Sequence, residues 1–269
     1  YLGPGRANKI LTYDLKGNYL SDEAIHFKEI VHKPCIWMDH DKKHVTVVGL
    51  PFSENENSNF EISNNVCWVQ NREGDIVHRI PVNHYGLIGD YSNGLVACRN
   101  VDAISFSIFE DPMLRTRPDT LYHYDAVKNI ITPCFTIDYV VSENQSACTV
   151  LYETSRSYWA QVTLYPNNLS SSVSSVRLPA FNVCVSKKDD NVRRIDRFTD
   201  SLLGLSYPYL VMQNGYVCIS YEPLELMDAL DKVLTQTDLE PDVRKRATDL
   251  RNSLHENDND ILIIGKLKQ

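Results

Sequence analysis

No stretch of this 269-residue chain is apolar over the roughly 20 residues that a membrane-spanning helix needs. Positive charge is in short supply. The chain has 27 Lys and Arg against 35 Asp and Glu, a formal charge of −8. It therefore has no general pull on phosphate backbones, and nucleic acid is not an expected partner. Glycine is scarce, with 11 residues, so Asn and Asp must supply many of the tight turns. The seven cysteines (Cys35, Cys67, Cys98, Cys134, Cys148, Cys184 and Cys218) form no C-x-x-C pair, which removes the usual zinc and thioredoxin-like motifs. Most lie in apolar runs such as Val66 to Val69 and read as small buried hydrophobes. One or two cross-strand disulfides, or a nucleophilic thiol, are the alternatives. No G-x-S-x-G, H-E-x-x-H, P-loop or G-x-G-x-x-G is present, and no cofactor is called for. The chain opens Tyr1-Leu2-Gly3-Pro4-Gly5, without Met, a basic segment or an apolar segment, so a processed or truncated start is expected.

What is present is a succession of short strands broken by turn residues. Strands are expected at 9–13, 44–50, 66–69, 76–80, 94–98, 103–109, 120–124, 130–137, 147–152, 159–165 and 216–221, rich in Val, Ile, Thr and Tyr. Three hairpins share one layout of apolar alternation, polar turn and apolar alternation: 10–20, 67–77 and 121–131. Aligning Gly17 with Gly74, and Asp14 with Asp125, gives a unit of about 55 residues. Four strands of ordinary length fit such a unit, and repeated four-stranded units point to a β-propeller. A fourth unit is less distinct, with a Ser-rich turn expected at Ser170 to Ser175.

Near the C-terminus the period changes. Pro223 and Pro241 each suit the first turn of a helix. Leu226, Met227, Leu230, Val233 and Leu234 recur at helical spacing, as do Val243, Ala247, Leu250 and Leu254. Asn257-Asp258-Asn259 ends the second helix, and 261–267 reads as a strand. The expected organisation is one propeller domain over 1–269, a helical insertion at 223–256 and a closing strand at 259–269. That strand would pair in a blade begun near the N-terminus and so remove an exposed edge.

Three segments carry a resemblance. They are Gly3-Pro4-Gly5 with Lys9 to Gly17, Asp119-Thr120-Leu121-Tyr122 with Ile131 to Asp138, and Leu254 to Ile264. Together they resemble the six-bladed β-propeller family of exported lipoproteins from Bacteroidetes-type bacteria, a TolB-like propeller group. Arg6 stands where that family has Glu, and Asp260 where it has Pro. The resemblance implies export to the periplasm or outer-membrane surface, with a lipid anchor upstream of Tyr1 as the only membrane attachment. It carries no catalytic residues. Residues 1–222 hold about four units, short of six blades. The chain is therefore expected to be part of a longer exported precursor, with the missing part at or near the N-terminus.

The candidate site residues are few. Arg99 and Asn100 end a strand, where a propeller lines its channel mouth. Tyr158 and Trp159, like Trp37, offer flat faces to a sugar or a core. Arg193-Arg194-Ile195-Asp196-Arg197 could grip a carboxylate or sulfate, or form a solvated, self-paired loop. Asp39-His40-Asp41 with His44 has metal-ligand character, but Lys42 and Lys43 favour a hairpin turn. His78, His84 and His123 are isolated. The sialidase-type turn and the Trp-Asp dipeptide are absent.

The leading expectation is a non-catalytic surface propeller that binds a glycan, a peptide or an envelope protein. The alternatives are a subunit of an outer-membrane nutrient-uptake complex beside a transporter, and a glycan-active hydrolase or lyase with its site at the propeller mouth.

Overall fold

The computed structural model describes residues 6–21, 24–39, 43–50, 63–82, 85–86, 94–99, 103–109, 117–137, 142–166, 180–208, 210, 212–213 and 216–266. Nineteen strands and two α-helices lie among them. The chain divides into two compact units, residues 1–153 with 163–178, and residues 154–162 with 179–269.

In the first unit, β1 (Arg6–Ile10) pairs antiparallel with β2 (Ile25–His32). Next, β3 (Cys35–Met38), β4 (His44–Val48), β5 (Asn65–Asn71) and β6 (Ile76–Pro81) form a four-stranded antiparallel sheet in chain order. So do β7 (Gly94–Arg99), β8 (Ile104–Phe109), β9 (Thr120–Asp125) and β10 (Ile130–Thr136). A third four-stranded sheet has the order β11 (Gln145–Glu153), β12 (Ser157–Pro166), β13 (Ala180–Ser186), β14 (Val192–Ile195).

The inner strands β4 and β5 are buried on both faces, so that every residue from Asn65 to Gln70 is buried, whereas the edge strand β6 exposes alternate residues. Alternation sends Val45, Val47 and Trp68 to one side, where they pack with Ile25, Phe27 and Val31 of β2. Val48 and Cys67 go to the other side, with Ala97, Ile104, Phe106 and Tyr124 of the next sheet. Strands filled on both faces need polar residues to find partners inside. Trp68 Nε1 donates to Gln70 Oε1 at 2.7 Å, and Gln70 Nε2 donates to the His26 carbonyl at 2.7 Å.

The hairpin turns repeat in chemistry as well as in place. Asp14 Oδ1 accepts the backbone N–H groups of Lys16 and Asn18, and Asn71 Oδ1 accepts that of Asp75. Asp125 Oδ1 accepts those of Val127 and Lys128, and Ser186 Oγ accepts that of Lys188. Three or four residues later each turn holds one left-handed residue: Gly17, Gly74, Asn129 and Asp190, with φ of 85°, 89°, 54° and 54°. Gly, Asn and Asp are the residues that tolerate that conformation. The fourth turn of the series is therefore 186–191. The Ser-rich segment expected to hold it lies outside the described residues.

In the second unit, β15 (Phe198–Thr199) pairs with β16 (Ser206–Tyr207). A further sheet has the order β17 (Met212–Gln213), β18 (Tyr216–Tyr221), β19 (Ile261–Lys266). Between β18 and β19 stand α1 (Pro223–Leu234) and α2 (Pro241–Ser253), each opened by its proline as expected. Leu226, Leu230 and Val233 are buried on α1, and Ala247 on α2. Neither helix is long and apolar enough to cross a membrane.

β19 pairs along its whole length with β18, a strand just before the helices, and with no N-terminal strand among the described residues. One expectation changes. The stretch 192–195 is an edge strand and not a loop. Its exposed arginines leave the backbone pairing with Asn182 to Val185 intact and guard an open sheet edge. The cysteine reading holds in part. All seven lie in strands as free thiols, but Cys67 alone is fully buried and Cys218 is exposed.

Candidate functional site

In the second unit, an open hollow of about 700 Å³ lies between the turn after β11 and the β13–β14 turn. The first turn folds on Thr154, whose backbone N–H donates to the Ser157 carbonyl at 2.9 Å and whose Oγ1 accepts the Ser157 N–H at 3.1 Å. Lys187 N–H donates to the Arg156 carbonyl at 2.9 Å and ties the two turns together. Arg156, Lys187, Lys188 and Arg193 line the hollow. Asp189 is the one carboxylate among the described lining residues. Hydrogen bonds from Ser186 first and the Asn191 backbone next, with the charge of Arg193, hold Asp189 below the usual carboxylate range. The hollow is thus locally cationic in a chain of charge −8.

The basic run is split by its strand. Arg193 faces the hollow. Arg194 pairs with Asp196 at 2.8 Å and lies 4.5 Å from the Phe181 ring centroid, and Arg197 donates to Ser206 Oγ at 2.8 Å. Strand alternation separates neighbours that sequence lumps together.

Of the other candidates, Tyr158 sits on β12 with the Lys187 ammonium 4.7 Å from its ring centroid, so one face of the ring is taken. Trp159 packs against Phe198, centroids 5.9 Å apart, and its buried Nε1–H has no partner among the described residues. Arg99 reaches across to β3, donating to the Met38 carbonyl at 3.2 Å and pairing with Asp39 at 3.4 Å. Asn100 lies outside the described residues. Asp39 also accepts Thr46 Oγ1, and its backbone N–H donates to the His44 carbonyl at 2.9 Å, as the hairpin reading requires. His40, Asp41 and His84 lie outside the described residues. His78 meets the Ala126 carbonyl at 2.7 Å.

Sequence reasoning missed a second group, in the first unit. His123 on β9, Cys134 on β10 and Glu153 at the end of β11 bring their ligand atoms within 4.8 Å of one another. His123 Nε2 and Glu153 Oε2 are 2.6 Å apart, with the Glu153 side chain 4% exposed. The Cys134 and Glu153 hydrogen bonds, opposed by burial, push the imidazole up to about 10.

Register explains this meeting. Thr132 pairs with His123, and Cys134 lies two residues on, so it shares that face. Cys134 is the extra residue of a bulge between Pro133 and Phe135, on an edge strand where Pro133 owes no N–H. β11 is fixed against β8 by Leu151 N–H donating to Ser107 Oγ at 3.2 Å and by that hydroxyl donating to the Leu151 carbonyl at 3.3 Å. From Ser107, which pairs with Leu121, two residues lead to Ser105, which pairs with His123. From Leu151, two residues lead to Glu153. No family model, no curated protein and no solved structure matches the chain.

Proposed function

We propose that the protein is a non-catalytic, exported binding module of β-propeller type that holds the anionic group of an acidic glycan in the hollow of its second unit. The observation that carries this reading is the convergence of Arg156, Lys187, Lys188 and Arg193 on one hollow in an acidic protein. Guanidinium groups grip carboxylate and sulfate bidentately, and lysines add point charge. Glycoside hydrolysis uses a pair of carboxylates. Asp189, the lone described carboxylate at this hollow, therefore favours binding over cleavage. The propeller reading is supported by successive four-stranded meanders and by a turn chemistry that returns every 55–60 residues or so. Export, a surface lipid anchor and an envelope partner rest on the family resemblance.

The test is a titration with uronate-bearing or sulfated oligosaccharides, with neutral oligosaccharides and an acidic peptide as the other arms. Acidic glycans should bind with an affinity that falls as salt rises. Arg156→Ala and Arg193→Ala should each weaken them. Equal binding of neutral glycans, tighter binding of the acidic peptide, or unaltered affinity in both variants would overturn the reading.

A further inference from the structure

We infer that His123, Cys134 and Glu153 are the protein ligands of a zinc-type divalent cation, with the fourth coordination position left to water or a small ligand. The donor set is one imidazole nitrogen, one sulfur and one carboxylate oxygen. Thiolate selects against magnesium and calcium, and the mixture suits zinc. Zinc takes such donors at about 2.0–2.3 Å in tetrahedral array, which puts the ligand atoms about 3.5 Å from one another. The three atoms already lie within 4.8 Å of one another. His123 and Glu153, at 2.6 Å, need only part by about 1 Å to admit a cation between them.

Charge balance points the same way. A neutral imidazole, a thiolate, a carboxylate and a dication sum to zero. That suits a pocket where the Glu153 side chain is 4% exposed and an uncompensated charge would be costly. Access is not closed, since the His123 side chain is 30% exposed. Each ligand comes from a different strand, on a scaffold fixed by the β9–β10 pairing and the Ser107–Leu151 hydrogen bonds. Ligands on strands hold geometry better than ligands on loops.

The experiment uses the whole chain, stripped with a chelator and then titrated with cobalt(II) and zinc. One equivalent of cobalt should bind and give a thiolate-to-cobalt charge-transfer band, which zinc then displaces. Cys134→Ser should abolish that band, while Cys35→Ser keeps it. His123→Ala and Glu153→Gln should each weaken zinc by at least about tenfold, the loss seen even for outer partners of a metal site. Should a variant fail to fold, the unaltered chain still decides the matter. Zinc should slow alkylation of Cys134 by iodoacetamide and leave Cys218 as reactive as before. A folded chain with no charge-transfer band, or equal alkylation of Cys134 with and without zinc, would overturn the assignment.

Discussion

The Trp68 indole N–H and the Gln70 side-chain oxygen, two residues apart on one strand, meet at 2.7 Å with both side chains buried. Gln70 passes the connection on to the His26 carbonyl and so joins two layers of the first unit. Trp68→Phe leaves the Gln70 acceptor unmet and should cost about 2–3 kcal/mol. Trp159→Phe removes a buried donor that has no partner among the described residues. It should cost about 1 kcal/mol or less. Denaturant unfolding of the two variants side by side checks the ranking, and equal losses would contradict the roles given to the two indoles.

Gly17 and Gly74 share a backbone conformation but not an environment. A Cβ on Gly17 meets nothing within 4 Å, whereas one on Gly74 comes within 3.0 Å of the His26 carbonyl oxygen. Gly17→Ala should cost about 1–2 kcal/mol from the left-handed φ alone. Gly74→Ala should cost more, because backbone must give way. Chemical denaturation midpoints of both proteins measure the gap. Asp190→Gly should move the other way, by up to about 1 kcal/mol, because it relieves the same conformation at an exposed position.

Acid should loosen the turns. Side-chain and backbone hydrogen bonds from Asn18 hold Asp14 below the usual carboxylate range. Lys28 does so for Asp75, and Lys128 for Asp125. Each carboxylate binds its proton more weakly in the folded chain than in the unfolded one. The turn stability is therefore fully present above about pH 4 and is lost as pH falls through the lower folded values. The turn contribution to the thermal midpoint should be flat from neutral pH to about 5 and drop below 4. Asp125→Asn, which keeps an acceptor oxygen, should soften that drop. An unchanged acid slope in this variant would count against the turn as its source.

The helical hairpin rests on apolar burial more than on its surface ion pair. Arg251 makes two hydrogen bonds to Asp231, at 2.8 and 3.0 Å, on a solvated face. Leu230 is fully buried. Leu230→Ala should cost about 2–5 kcal/mol, while Arg251→Ala should barely move the melting midpoint and should do so only at low salt. Calorimetry at two ionic strengths separates the two effects.

How much of this could be read in advance follows from the range of each signal. Alternation and turn residues marked β5 to β12 to within a few residues, and Pro223 and Pro241 marked both helices, because those signals are local. β2 escaped notice. Its buried Ile25, Phe27 and Val31 do alternate, but Lys28 and Glu29 interrupt the apolar count. β14 read as a loop because an edge strand carries charge for reasons unrelated to burial. The hollow was half legible, since Arg193 was singled out while Arg156 and Lys187, far off in sequence, were not. His123, Cys134 and Glu153 were invisible as a group. No spacing rule links residues brought together by a bulge, an edge strand and a neighbouring sheet.

The matched two-residue steps from Ser107 to Ser105 and from Leu151 to Glu153 make the triad a vernier for how β11 seats on β8. A slip of one residue would turn the Glu153 side chain to the opposite face and disperse the three donors, although none of them had been altered. Substitutions at Ser107 or Leu151, which carry none of the three donors, would then silence the cluster. Its integrity reports the alignment of two strands as directly as any probe placed there by design.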